Sequence, residues 1–135
     1  MGAKSDHSEE ALRAYVSQRQ NRDDVLFLGI FTWNHREHIG NVKYEPVDAA
    51  NGYAVVGIFI GEPAYRGRGV ATEVLRHSAA WLRRMRGIGE IMLGVASEHS
   101  AAIRAFEKAG FKREPTDRIT LLPGAISLVL HLDHP

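Results

Sequence analysis

Three stretches rich in β-branched and aromatic residues, 25–33, 37–45 and 53–61, follow one another across very short connections. The residues between them, Asn34, His35 and Arg36 in one gap and 46–52 in the other, carry turn chemistry. A parallel crossover needs about a dozen residues or more, so such strands pair antiparallel with their neighbours. The expectation is a three-stranded meander. Beyond it the period changes. Val70, Val74, Leu75, Ser78, Trp81, Leu82 and Met85 fall on one helical face, which predicts a helix over 69–86 ended by Gly87 and Gly89. Residues 90–96 read as a strand and 100–109 as a shorter helix, with Ile103 and Phe106 inward and Gly110 as terminator. Two last strands are expected over 118–122 and 125–132, and a leading helix over 8–20 from Ala11, Leu12, Tyr15 and Val16. Elements in this order give an α/β fold with one mixed central sheet.

A chain of 135 residues has room for one core, so 1–135 is expected to form one domain, with the small, polar residues 1–7 disordered. The net charge of +1 gives no whole-chain field of the kind that nucleic-acid binders carry. Absence of cysteine excludes a disulfide framework, a thiolate nucleophile and a cysteine-held metal. His35/His38 and His131/His134 sit three apart without further ligands nearby, so no metal is expected. No apolar run approaches the roughly 18 residues that span a bilayer, so no membrane association and a cytoplasmic location are expected.

The stretch Tyr65-Arg66-Gly67-Arg68-Gly69-Val70-Ala71-Thr72 lies between an apolar strand and the long helix. Glycines let a backbone approach a ligand closely, and the helix start offers unpaired N–H groups and a positive dipole end. Arg66 and Arg68 add charge suited to phosphate, and residues 66–90 carry six arginines against two glutamates. A tight strand-to-helix corner with solvated arginines explains the same residues equally well. A Walker loop is absent, and the dinucleotide fingerprint fails because Thr72 stands where its third glycine belongs.

Arg66-x-x-Gly69-x-Ala71 resembles the signature of the GNAT superfamily of N-acetyltransferases, which has Gln or Arg, then Gly, then Gly or Ala at this spacing. Downstream, the run from Ala102 to Phe111 (AIRAFEKAGF) is similar to the family's A-I-R-x-Y-E-K-x-G-F segment. The flanks from Glu37 to Lys43 and from Ile58 to Glu62 look most like the branch of ribosomal-protein N-terminal and amino-sugar acetyltransferases.

The resemblance implies acetyl-CoA as co-substrate and strands 53–61 and 90–96 parallel and splayed to admit it. Backbone groups of Ile58 and Ile60 would run beside the pantetheine arm. Arg66, Gly67, Arg68, Gly69, Val70 and Ala71 would hold the pyrophosphate. His99 stands where the family usually has Asn and Phe106 where many members have Tyr, both cofactor-contacting positions. The acceptor would be a primary amine of a small molecule or of a protein N-terminus, and a homodimer is compatible with the family.

Two departures stand out: Phe106 cannot protonate a leaving thiolate, and Gly94 aligns with a glutamate that serves some members as base. The family's usual first strand and helix are also expected to be missing. Glu62, at the end of the cofactor strand, and His99 are then the candidate bases, with Glu98 behind them. Phe106, Gly94 and the shortened start leave an alternative, a non-catalytic acyl-CoA-binding or interaction module of the same fold.

Overall fold

The computed structural model describes residues 15–18, 23–32, 36–61 and 69–132. Among them seven strands form one mixed sheet, in the order β1-β2-β3-β4-β5-β7-β6. They are β1 (Tyr15–Gln18), β2 (Leu26–Phe31), β3 (His38–Asp48), β4 (Tyr53–Ile60), β5 (Glu90–Ala96), β6 (Lys112–Arg113) and β7 (Ala125–His131). Two helices are described, α1 (Val70–Arg86) and α2 (Ser100–Lys108). All neighbouring pairs run antiparallel except β4 and β5, which α1 joins as a parallel pair.

The mixed α/β architecture matches the sequence expectation, and four local readings are corrected. First, Tyr15–Gln18 is a strand paired with β2, not part of a helix. Tyr15 and Val16 suit a pleated surface, and the backbone groups on the outer edge of β2 give them partners there. The remainder of that expected helix, residues 8–14 and 19–20, lies outside the described residues, as do 1–7. A strand thus precedes the three-stranded meander, where none was expected.

Second, β3 runs on through Pro46 to Asp48, and the turn shrinks to 49–52. Proline is tolerated because the register shifts there, between Tyr44 and Val47. Asp48 closes this turn, accepting hydrogen bonds from the Asn51 backbone N–H and side-chain amide, both at 3.0 Å. Those bonds hold its carboxyl below the ordinary value.

Third, residues 118–122 form no strand. The second β7 partner is Lys112–Arg113, and Pro115 lacks the N–H that continued pairing requires. The segment crosses the sheet face instead, with Thr116 Oγ1 3.8 Å from Met92 Sδ and the Arg118 guanidinium stacked 4.3 Å from the centre of the Tyr53 ring.

Fourth, Met85 is 61% exposed rather than inward. The last turn of α1 is tied by its arginines: Arg83 donates to the Leu132 carbonyl, and Arg86 donates to the Asp23 carbonyl while covering Trp81. Only Arg84 and Met85 of this turn are exposed.

Strand alternation sorts the core. Leu28 and Ile30 of β2, Val42 and Tyr44 of β3, Ala54 and Val56 of β4, Ile91 and Leu93 of β5, and Leu128 and Leu130 of β7 meet α1 through Val74, Leu75 and Leu82. Gly87, at φ +72°, ends α1 by donating to the Arg83 carbonyl at 3.1 Å, and turns buried Ile88 back under the helix. Phe111 and Ala109, just past α2, join this core, so both helices cover one face. The opposite face carries Met92 and Val129, buried beneath the segment after β6.

Candidate functional site

β4 and β5 pair over only three positions, Tyr53–Val55 with Glu90–Met92, although β4 continues to Ile60 and β5 to Ala96. Past the Val55–Met92 pair the two strands diverge, as the resemblance implied. The orientation of the diverging half of β4 follows from one hydrogen bond. Gly61 N–H donates to the Ile39 carbonyl at 2.9 Å, so the odd-numbered residues of this stretch turn their backbone groups toward β3. Alternation then turns the N–H and C=O of Ile58 and Ile60 toward the gap left by β5. Their side chains are partly buried against the core, on the helix side.

α1 begins beyond the end of β4, and its first residue, Val70, belongs to the core against which Ile58 and Ile60 pack. Gly69 is its N-cap, in the left-handed conformation at φ +82°, which a residue with a Cβ adopts only under strain. It supplies no side-chain cap, and the first intrahelical bond is Glu73 N–H to the Gly69 carbonyl at 3.1 Å. The N–H groups of Val70, Ala71 and Thr72 precede that bond and have no partner within the helix. Val70 is buried and anchors this turn, while Ala71 is half-buried. Arg66, Gly67, Arg68 and Tyr65 lie outside the described residues, as does Glu62.

The second half of α2 leans on the first two turns of α1. Arg76 donates to the Lys108 carbonyl at 3.1 Å, and Thr72 Oγ1 makes a long 3.5 Å contact with the Ala105 carbonyl. Phe106 is partly buried and meets Phe111 edge-on, with ring centres 5.7 Å apart. It is one residue from the Ala105 carbonyl and presents no donor. His99 is the exposed N-cap of α2 without a side-chain capping bond, and Glu98 is exposed beside it. Of the expected cofactor residues, Ile58, Ile60 and Phe106 are partly buried against the core to which Val70 belongs, Gly69 and Ala71 flank Val70 at the start of α1, and His99 stands at the N-cap of α2.

The sequence reading missed two residues at the divergence, Gly57 on β4 and Leu121, which packs over Gly94 on β5. An interior strand glycine and the uncharged run 119–125 are the signals that mark them. At the other end of β5, a cavity of about 600 Å³ is lined by Glu90, Glu114, Thr116 and Arg118. His131 stands between Glu114, at 2.9 Å, and Glu90, at 3.5 Å. Among the described residues no group of three or more His, Asp or Glu is arranged to hold a metal, and no helix is long and apolar enough to cross a membrane.

Comparison with known proteins bears on this geometry. Residues 2–112 match the family model described as the acetyltransferase (GNAT) domain. The probable N-acetyltransferase YjcK of Bacillus subtilis (strain 168) is 30% identical over 112 residues, covering 80% of this chain and 61% of that protein. The chain therefore spans about six tenths of the length of this curated relative. Among solved structures, spermidine N-acetyltransferase from Vibrio cholerae in complex with CoA and spermine superposes with a TM-score of 0.68 at 17% identity, covering 82% of this chain and 67% of that one. A dodecameric structure of the same enzyme gives 0.68 at 18% identity, over 82% and 66%. At such identities the structural likeness speaks for the fold, while the family match spans most of the sequence. The divergent β4–β5 pair and the glycine-started helix beside it are those of an acetyltransferase domain, and the chain belongs to the GNAT family.

Proposed function

We propose that this chain transfers the acetyl group of acetyl-CoA to a primary amine by direct attack on the thioester. The observation that carries the reading is the divergence of β4 from β5 beside the uncapped start of α1. An elongated thioester fits along the Ile58 and Ile60 backbone, with its pyrophosphate at the first turn of α1. Arg66, Gly67 and Arg68 complete that phosphate site with Gly69, Val70 and Ala71. Phe106 and His99 line the cofactor's path along α2.

In the reaction the amine nitrogen bonds to the thioester carbon, the C–S bond breaks, and CoA leaves as a thiolate that takes up a proton. A backbone N–H of the Ile58–Ile60 stretch supports the developing oxyanion. Glu62 accepts the amine proton, with His99 as the other candidate. Phe106 has no proton to give, so solvent protonates the thiolate. Holding donor and amine together supplies much of the acceleration. A small-molecule amine is the favoured acceptor class, supported by the polyamine chemistry named for the structural neighbours. A protein N-terminus is the other. The chain is read as a single cytoplasmic domain that needs neither metal nor nucleic acid, and a homodimer is compatible with it.

The test is amine-dependent release of thiol from acetyl-CoA. The chain has no cysteine, so a thiol reagent detects only released CoA. Replacement of Glu62 by Gln lowers turnover, most at acidic pH, and leaves acetyl-CoA affinity unchanged; a wild-type rate across pH moves the role to another group. A second reading, a non-catalytic acyl-CoA-binding module, is favoured by Phe106 and Gly94. It gives saturable CoA binding without thiol release for any amine.

A further inference from the structure

Glu90 and His131 stand opposite each other at one end of the β5–β7 pairing, on the face of the sheet that carries Met92 and Val129. His131 Nδ1 lies 3.5 Å from Glu90 Oε2, and its Nε2 lies 2.9 and 3.2 Å from the two carboxylate oxygens of Glu114. One ring thus joins β5, β7 and the segment that leaves β6. Around it lie further charged groups. Lys112 of β6 pairs with Val129, and Arg83 of α1 donates to the Leu132 carbonyl. Asp117 and Arg118 line the cavity of about 600 Å³ together with both glutamates, and Arg118 in turn acts on Asp48.

A carboxylate only accepts, so a ring nitrogen bonds to it only while carrying a proton. The imidazolium has an N–H on each side and serves both glutamates at once. The neutral ring has one. Its remaining bond loses the charge on the donor, which roughly halves its strength, and the other carboxylate faces a lone pair. Glu90 and Glu114 then flank an uncharged ring, and nothing between them offsets their repulsion.

The two carboxylates are held unequally. β5 lies inside the sheet, paired with β4 and β7. β6 makes two register pairs, Lys112 with Val129 and Arg113 with Leu128, and Pro115 cannot extend them. The Glu114 backbone bonds to Ser127, donating to its carbonyl at 3.2 Å and accepting from its Oγ at 2.6 Å. Past it the segment touches the sheet face through the 3.8 Å contact of Thr116 with Met92 and the stacking of Arg118 on Tyr53. Repulsion at the ring therefore moves this segment rather than β5. We infer that His131 is a proton-operated clasp on residues 114–118, closed while the imidazolium bridges Glu90 and Glu114 and loosened when the ring is neutral. The clasp is complete below the ordinary imidazole value of about 6.5. Its contribution to stability is lost as pH rises through the titration of the folded ring. Nothing in the clasp depends on the acetyltransferase reading.

Amide hydrogen exchange of the full chain, resolved by NMR and corrected for intrinsic rates, reads the clasp directly. The reporters are the Glu114 amide, which donates to the Ser127 carbonyl, and the Arg118 amide, which donates to Thr116 Oγ1. The Val47 amide, which donates to the Asp24 carbonyl, is the reference elsewhere in the sheet. Between about pH 5.5 and about pH 8, on either side of the imidazole range, protection at the reporters should fall about two- to fivefold, as a half-exposed ion pair supports. The reference should not change, and in His131→Gln the reporters should stay level. Glu90→Gln and Glu114→Gln, which keep side-chain shape and remove one charge each, should each lessen the fall and serve should His131→Gln not fold. Reporter protection that ignores pH in the wild type, or falls equally in the folded variants, overturns the clasp. So does an equal fall at Val47, which would place the effect in the whole molecule.

Discussion

Tyr44 is fully buried, and its hydroxyl lies 2.6 Å from Ser78 Oγ, which in turn lies 2.6 Å from the Val74 carbonyl. Ser78 has one proton, and the carbonyl can only accept, so Ser78 donates to Val74 and Tyr44 donates to Ser78. Tyr44→Phe removes the outer bond and leaves Ser78 satisfied, which predicts a loss of about 1 kcal/mol in urea unfolding. Burial also pushes the Tyr44 phenol above its ordinary value of 10.0. The folded chain therefore keeps a proton that the unfolded chain releases above that value, and stability falls as pH rises past it. Tyr44→Phe loses this alkaline sensitivity; an equally steep decline in the variant places it in another group. Phe106 is the other telling single residue. Its phenyl ring packs on Phe111, so Phe106→Tyr adds a hydroxyl at the ring's edge without emptying the core. Turnover rises in that variant when protonation of the thiolate is limiting, and an unchanged rate shows that solvent already does the task. Both Phe106 and Gly94 were legible as departures, because each is a single letter in a known string. Gly57 was not, because only the parallel register places it opposite Gly94.

Among the elements, α1 is the one that the proposed function ties to chemistry, through its N-cap. Gly69 is left-handed, and a Cβ there would meet open space among the described residues, so conformation and charge rather than crowding decide a substitution. Gly69→Asp costs about 1–2 kcal/mol of backbone strain and sets a carboxylate where an anion should bind. The expected outcome is loss of acetyl-CoA binding by a protein whose circular dichroism is unchanged; retained affinity would contradict the phosphate site. The elements that the sequence revealed most closely are those with local causes. α1, β5 and α2 follow from apolar period and glycine stops, within a residue or so of their observed ends. β1 and the segment after Pro115 were misread because tertiary partners decide them, β2 for the one and the Met92 face for the other. Met85 fits the helical period yet is exposed, since Arg83 and Arg86 secure the last turn through backbone carbonyls.

At the scale of the whole molecule, the sheet serves two ends. From β1 to β4 it is an antiparallel frame with its core against α1, and between β4 and β5 it parts after three pairs. Under the proposed function, that parting leaves room beside β4 for a bound chain of amide groups. Acetyl-CoA binding should accordingly raise the unfolding temperature, by an amount that grows with ligand concentration. A midpoint unmoved by ligand would mean that the divergence is not the binding site. The parallel pairing and its opening were legible only through the family likeness, since strand patterns carry no record of where a sheet separates. The most direct measurement is calorimetric titration of the folded protein with acetyl-CoA. The account predicts saturable binding of one molecule per chain, lost in Gly69→Asp. Absence of binding by wild-type protein with intact circular dichroism would contradict it.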